Sequence, residues 1–139
     1  MKKYFLLGLV LLAACQQKDI QKPAQTKALS LSVNQSDKAT FDSGDVSVKV
    51  LNIEDSRCPM NANCIHLGWA KVTFSLTAGG EEVRGERYFG ADAQLPKNDP
   101  EIKVGGRLFE VSVQEVTPYP CVGCPNQPAS QAVLNVKEK

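Results

Sequence analysis

The chain has 139 residues, with 16 Lys+Arg against 15 Asp+Glu, a formal charge of +1 and a single histidine. That balance leaves no basic surplus for nucleic acid or an anionic membrane surface. The length suits one domain large enough to bury a core, and small enough that a few kcal/mol of cross-linking matters.

Lys2 and Lys3 precede an apolar run, Tyr4 to Ala14. This run is about half of the roughly 20 residues that a membrane-spanning helix needs, so it reads as an export signal. The residues Leu12-Ala13-Ala14-Cys15 resemble the bacterial lipobox. The resemblance implies cleavage before Cys15, diacylglycerol on its sulfur and often a further acyl chain on the new amino group. Two or three acyl chains hold a protein firmly where one holds it marginally. Removal of residues 1–14 takes away Lys2 and Lys3, leaving 14 basic against 15 acidic residues. Gln16 follows the cysteine, and resemblance to Gram-negative lipoproteins then implies outer-membrane sorting, since aspartate there marks inner-membrane retention. The expected location is the cell envelope, with the membrane reached through the lipid.

Residues 15–27 are expected to be the lipidated cysteine and a flexible tether. The stretch QQKDIQKPAQTK is polar and shows no apolar period. From residue 28 the chain turns to period two. Leu29, Leu31 and Val33 alternate with serines, and Val46, Val48 and Val50 with polar residues, before Leu51 and Ile53 take the opposite phase. Ala70, Val72, Phe74 and Leu76 form the clearest run. Val83, Gly85 and Arg87 pair back through Ala78-Gly79-Gly80. Phe109, Val111 and Val113 alternate again, and Ala132, Leu134 and Val136 close the chain. Asp42-Ser43-Gly44, Gly79-Gly80, Gly105-Gly106 and two proline-rich stretches, 96–100 and 118–128, supply turns. The expectation is an all-β domain over residues 28–139: one antiparallel β-sandwich of seven or eight strands, Ig-like or similar. The change of phase at Val50–Leu51 predicts a bulge or a strand that changes sheets.

Four further cysteines remain: Cys58, Cys64, Cys121 and Cys124. An exported chain with an even count oxidises them. Three pairings exist. The local ones, Cys58–Cys64 and Cys121–Cys124, are favoured because each pair sits in one turn-like segment. The alternative is a Zn²⁺ or Cu(I) site built from the four thiolates with Met60 and His66. One pair has five intervening residues rather than two, and an oxidising compartment opposes free thiolates, so no metal is the expectation. The C-x-x-C of PYPCVGCPNQP is flanked by prolines and starts no helix, unlike a redox motif.

The run EDSRCPMNANCIHLGWAKVTFSL carries the chain's only histidine and only tryptophan. Its Asp55-Ser56-Arg57-Cys58-Pro59, followed by Cys64 and Gly68, resembles a motif of small bacterial exported proteins and lipoproteins of unknown function. The resemblance covers about 25 residues and implies a fold without an activity. As a turn the residues make sense: Asp55 or Ser56 accepts from following amides, Pro59 sets φ, and Gly68 permits a positive φ. Arg57 either pairs with a carboxylate such as Asp55 or Glu54, pinning the loop, or captures a ligand's carboxylate or phosphate. Trp69 is out of phase with Ala70, so it covers a sheet face or anchors a partner. His66 reads as a surface residue. Asp55, Arg57, His66 and Trp69 are thus the candidate binding residues.

No G-x-S-x-G, H-E-x-x-H or phosphate-binding glycine loop occurs. No enzyme activity and no cofactor are expected. The expected role is a non-catalytic, lipid-anchored binding module that meets an envelope protein or small ligand through loops at one end of the sandwich. The alternatives are copper or zinc handling and a structural or assembly lipoprotein.

Overall fold

A computed structural model describes residues 24–139. The expected signal segment, Cys15 and the expected tether up to residue 23 lie outside the described residues. Among the described residues the chain forms eight strands: β1 (Thr26–Ser32), β2 (Ser36–Phe41), β3 (Gly44–Asp55), β4 (Ala70–Ala78), β5 (Glu81–Phe89), β6 (Glu101–Val104), β7 (Arg107–Thr117) and β8 (Gln131–Glu138). They form two antiparallel four-stranded sheets, ordered β1-β8-β7-β6 and β2-β3-β4-β5. The domain is therefore an all-β sandwich. Its connectivity is plainer than the Greek key of an immunoglobulin domain. Neighbours within a sheet are also neighbours in sequence, except that β8 returns to pair with β1. Where the chain passes between sheets, β1 touches β2 and β5 touches β6. The result is a flattened up-and-down arrangement.

The inward positions carry the core. Val46, Val48 and Val50 of β3, Val72, Phe74 and Leu76 of β4, Phe109 and Val111 of β7, and Leu134 and Val136 of β8 are fully buried. Burying a side chain of this kind contributes roughly 1.5–3 kcal/mol, which is what holds the two sheets face to face. β3 shifts register between Val50 and Asn52, so Leu51 is the extra residue of a bulge, and Ile53 then resumes the inward phase. A second bulge falls between Val113 and Glu115 of β7, after which Val116 is buried.

Thr26 and Lys27, expected to end the tether, already pair with Lys137 and Val136. Ladder hydrogen bonds use only backbone groups, so two exposed polar residues extend a strand that apolar patterning starts later. This register also fixes direction. β1 begins beside the end of β8, where the turns at 42–43, 79–80 and 105–106 gather. Arg107 ties that end together, donating from Nε to Glu138 at 2.7 Å and from Nη2 to the Gly44 carbonyl at 3.0 Å. Arg107, with help from Ser43, holds the Glu138 carboxyl below the usual carboxylate range. The long loops, residues 56–69, 90–100 and 118–130, belong to the opposite end.

Candidate functional site

The first long loop leaves β3 and returns into β4, and its base continues their ladder. Ser56 donates from both its amide (3.0 Å) and its hydroxyl (2.7 Å) to the Trp69 carbonyl, and the Cys58 amide donates to the Leu67 carbonyl at 2.7 Å. Gly68 has φ +66° where it lies against Ser56, and a Cβ there would run into the Ser56 carbonyl. Glycine is thus required both by conformation and by close approach. Above this base Cys58 and Cys64 form a disulfide with Cα atoms 5.9 Å apart. Closing a loop of this size removes about 2 kcal/mol of unfolded-chain entropy in the standard model.

The second long loop carries the Cys121–Cys124 disulfide, Cα atoms 5.7 Å apart, and docks on the first. The Met60 amide donates to the Pro120 carbonyl at 2.9 Å. Asn61 behaves like a short piece of strand: its Nδ2 donates to the Val122 carbonyl at 2.8 Å and its Oδ1 accepts from the Val122 amide at 2.9 Å. Arg57 lies beneath both loops and is only 6 % exposed. It donates to both oxygens of Asp55, and Nη2 also donates to the Val116 carbonyl at 2.9 Å. The guanidinium sits 4.5 Å from the centre of the Tyr119 ring, within cation–π range. Of its two sequence readings, Arg57 takes the pinning role.

A third segment supports the site from the side. The backbone amides of Gln94 (2.8 Å) and Gly68 (2.7 Å) donate to Asp92 and hold its carboxyl below the usual carboxylate range. Asn98 accepts from the Tyr88 amide at 2.7 Å and donates to the Tyr88 carbonyl at 2.9 Å, clamping residues 96–98 beside β5. Neither Asp92 nor Asn98 stood out in the sequence. The only local signal was the Asp92-Ala93-Gln94 spacing of an Asx turn.

The candidate residues therefore separate. Asp55 and Arg57 meet as a pair, His66 is exposed at the tip, and Trp69 is half-buried on the outer face of the β2–β5 sheet. The cysteines stand as two disulfides. Among the described residues no group of three or more His, Cys, Asp or Glu side chains converges as a metal site would need. The tip itself is apolar. Met60 is 67 % exposed, Ile65 97 %, Leu67 52 %, Tyr119 44 % and Val122 65 %; among the described residues only Val33 and Leu108 join them as exposed large hydrophobics. No charged residue occurs between Arg57 and Lys71 or between Glu115 and Lys137, His66 apart. Comparison with protein-family models, curated proteins and solved structures returned no match.

Proposed function

We propose that this protein is a lipid-anchored, non-catalytic binding module of the cell envelope that recognises a protein partner through its stapled tip. The observation that carries the reading is the concentration of Met60, Ile65, Leu67, Tyr119 and Val122 on two loops that disulfides and Asn61 hold rigid. Scattered exposed hydrophobics need no explanation, whereas five of them on two docked, uncharged loops offer a preorganised surface that favours apolar contact. Aromatic and methionine side chains are enriched at such contacts, and charge is depleted at their centre.

The direction of β1 supports this division of labour. The chain enters the sandwich at the end opposite the stapled loops. A lipid on Cys15 would tether the domain by its turn end and leave the tip facing away from the anchoring bilayer. The outward surface then meets partners, and the lipid alone holds the membrane.

Intact-mass measurement of protein isolated from membranes tests the anchor. The expected species begins at an acylated Cys15 and gains four hydrogens on reduction of the two disulfides. An unacylated Cys15 would remove the anchor from the reading. For the tip, the double variant Ile65→Ser, Val122→Ser is expected to lose the complex formed by wild type in detergent-solubilised envelopes while unfolding at the same denaturant concentration. An unchanged complex would move recognition elsewhere.

A further inference from the structure

A groove of about 390 Å³ lies on the outer face of the β3–β4–β5 sheet, at the base of the first stapled loop. Its size falls within the roughly 300–1,000 Å³ range of small-ligand sites. Three ring-bearing side chains, Trp69, Tyr88 and Pro96, line it, with Glu54, Asp55 and Lys71 as polar company. Strand geometry puts them together. Lys71 pairs with Tyr88 across β4 and β5, and Trp69 shares the outward phase of Lys71 because Ala70 and Val72 point inward. Each ring is held from its backbone. Both Ser56 donors grip the Trp69 carbonyl, and the absence of a side chain at Gly90 lets that segment pass under Trp69. Asn98 clamps Tyr88 and so fixes the neighbouring Pro96 segment.

The charges in this groove are already matched. Lys71 contacts Glu54 at 2.9 Å, and Asp55 is taken by buried Arg57 at 2.6 Å. A cationic ligand would face Lys71 and find no free carboxylate; an anionic one would face Glu54 and Asp55. A purely aliphatic ligand would strand the polar rim, since the Glu54 side chain is 57 % exposed. What fits is a neutral molecule with apolar C–H faces to stack on rings and hydroxyls around its edge. We infer that this groove binds neutral pyranose sugar units of a glycan. The proposal stands on the groove alone and does not rest on recognition by the apolar tip.

Trp69 is the only tryptophan, so its fluorescence reports the groove directly. Mature full-length protein with its disulfides intact would be titrated with neutral cello- and chito-oligosaccharides, a proline-rich peptide and tetramethylammonium. A saturable change in Trp69 emission with an oligosaccharide, insensitive to salt, is the expected result. The variant Tyr88→Thr should weaken it about tenfold through loss of one stacking ring. Glu54→Gln, its fold checked by an unchanged urea midpoint, should weaken it as well, whereas Ile65→Ser should leave it unaltered. No saturable response to either sugar series would overturn the proposal. So would equal binding by wild type and Glu54→Gln, or a response to the peptide or the cation alone.

Discussion

Arg57 grips Asp55, two residues before it, through two parallel hydrogen bonds, Nε to Oδ1 at 2.8 Å and Nη2 to Oδ2 at 2.6 Å. The pair closes the mouth of β3. The same guanidinium reaches the Val116 carbonyl where β7 ends, so one side chain joins the exits of both sheets. Removing the guanidinium leaves the partly buried Asp55 carboxylate without its countercharge, with only the residue 57 backbone amide (3.1 Å) still donating to it. Arg57→Ala is expected to cost about 3 kcal/mol, at the low end for a broken buried pair. Arg57→Lys should recover only part of this, because an ammonium cannot make the fork. Urea unfolding of the three proteins measures it, and a lysine variant as stable as wild type would contradict the forked geometry.

Two glycines with positive φ separate strain from collision. Gly80 has φ +81° in the β4–β5 turn, and nothing lies within 4 Å of a Cβ placed there. Gly68 has φ +66° and would meet the Ser56 carbonyl. Gly80→Ala should cost only the left-handed penalty, about 1–2 kcal/mol. Gly68→Ala should cost clearly more and should open the base of the stapled loop, read as faster hydrogen exchange at the Cys58 amide. Equal losses in the two variants would show that the loop base yields freely.

Arg87 is 4 % exposed inside the sandwich, and its hydrogen-bond acceptors among the described residues are backbone carbonyls, with no carboxylate. Its Nε donates to the Val111 carbonyl at 2.7 Å, and the guanidinium lies 5.4 Å from the Phe74 ring centre. β6 has only four residues and its ladder stops at Glu110, so Arg87 takes the place of a missing strand at the seam. Gly85 beside it makes room for Ile102 and Phe74, which already occupy the space of a side chain. Arg87→Met keeps an unbranched apolar stem, removes the charged head and leaves that carbonyl unpaired. A loss of about 1–3 kcal/mol is expected, the cost of an unsatisfied buried acceptor. A more stable methionine variant would show that desolvating the cation outweighs the bond.

Asp92 and Glu138 both hold their protons less tightly in the folded chain than an ordinary carboxyl does. For a carboxyl with a depressed folded pKa, stabilisation is complete above the unfolded value of about 4 and is lost as pH falls through the lower folded value. The urea midpoint should therefore be level at neutral pH and fall below about pH 4. Asp92→Asn should start less stable at pH 7 and fall less steeply. Identical acid profiles for that variant and wild type would remove Asp92 as a contributor.

Much of the fold was legible because alternating apolar residues can face only one way. The shift at Val50–Leu51 announced the β3 bulge, and the glycine pairs announced their turns. Strands β2 and β6 were harder: each offers two inward apolar residues, Ala39 and Phe41 or Ile102 and Val104, too few to establish a period. The β7 bulge was hidden because Gln114 interrupts a run that otherwise reads as unbroken alternation. At the site, locality was enough to pair the cysteines, and the Asp55–Arg57 contact was among the stated options. The bonds that assemble the site were not legible. Asn61 to Val122, Asn98 to Tyr88 and Asp92 to Gly68 join a side chain to backbone many residues away, and such contacts leave no periodic trace.

The central claim is that the stapled tip, and not the turn end, meets a partner. Photo-cross-linking in intact envelopes tests it most directly, with p-benzoylphenylalanine placed at Ile65 on the tip or at Glu82, exposed near the β4–β5 turn. The expected result is a discrete adduct from position 65 that persists in high salt, as apolar contact should, and none from position 82. Identical products from both positions, or no adduct from position 65, would contradict the account.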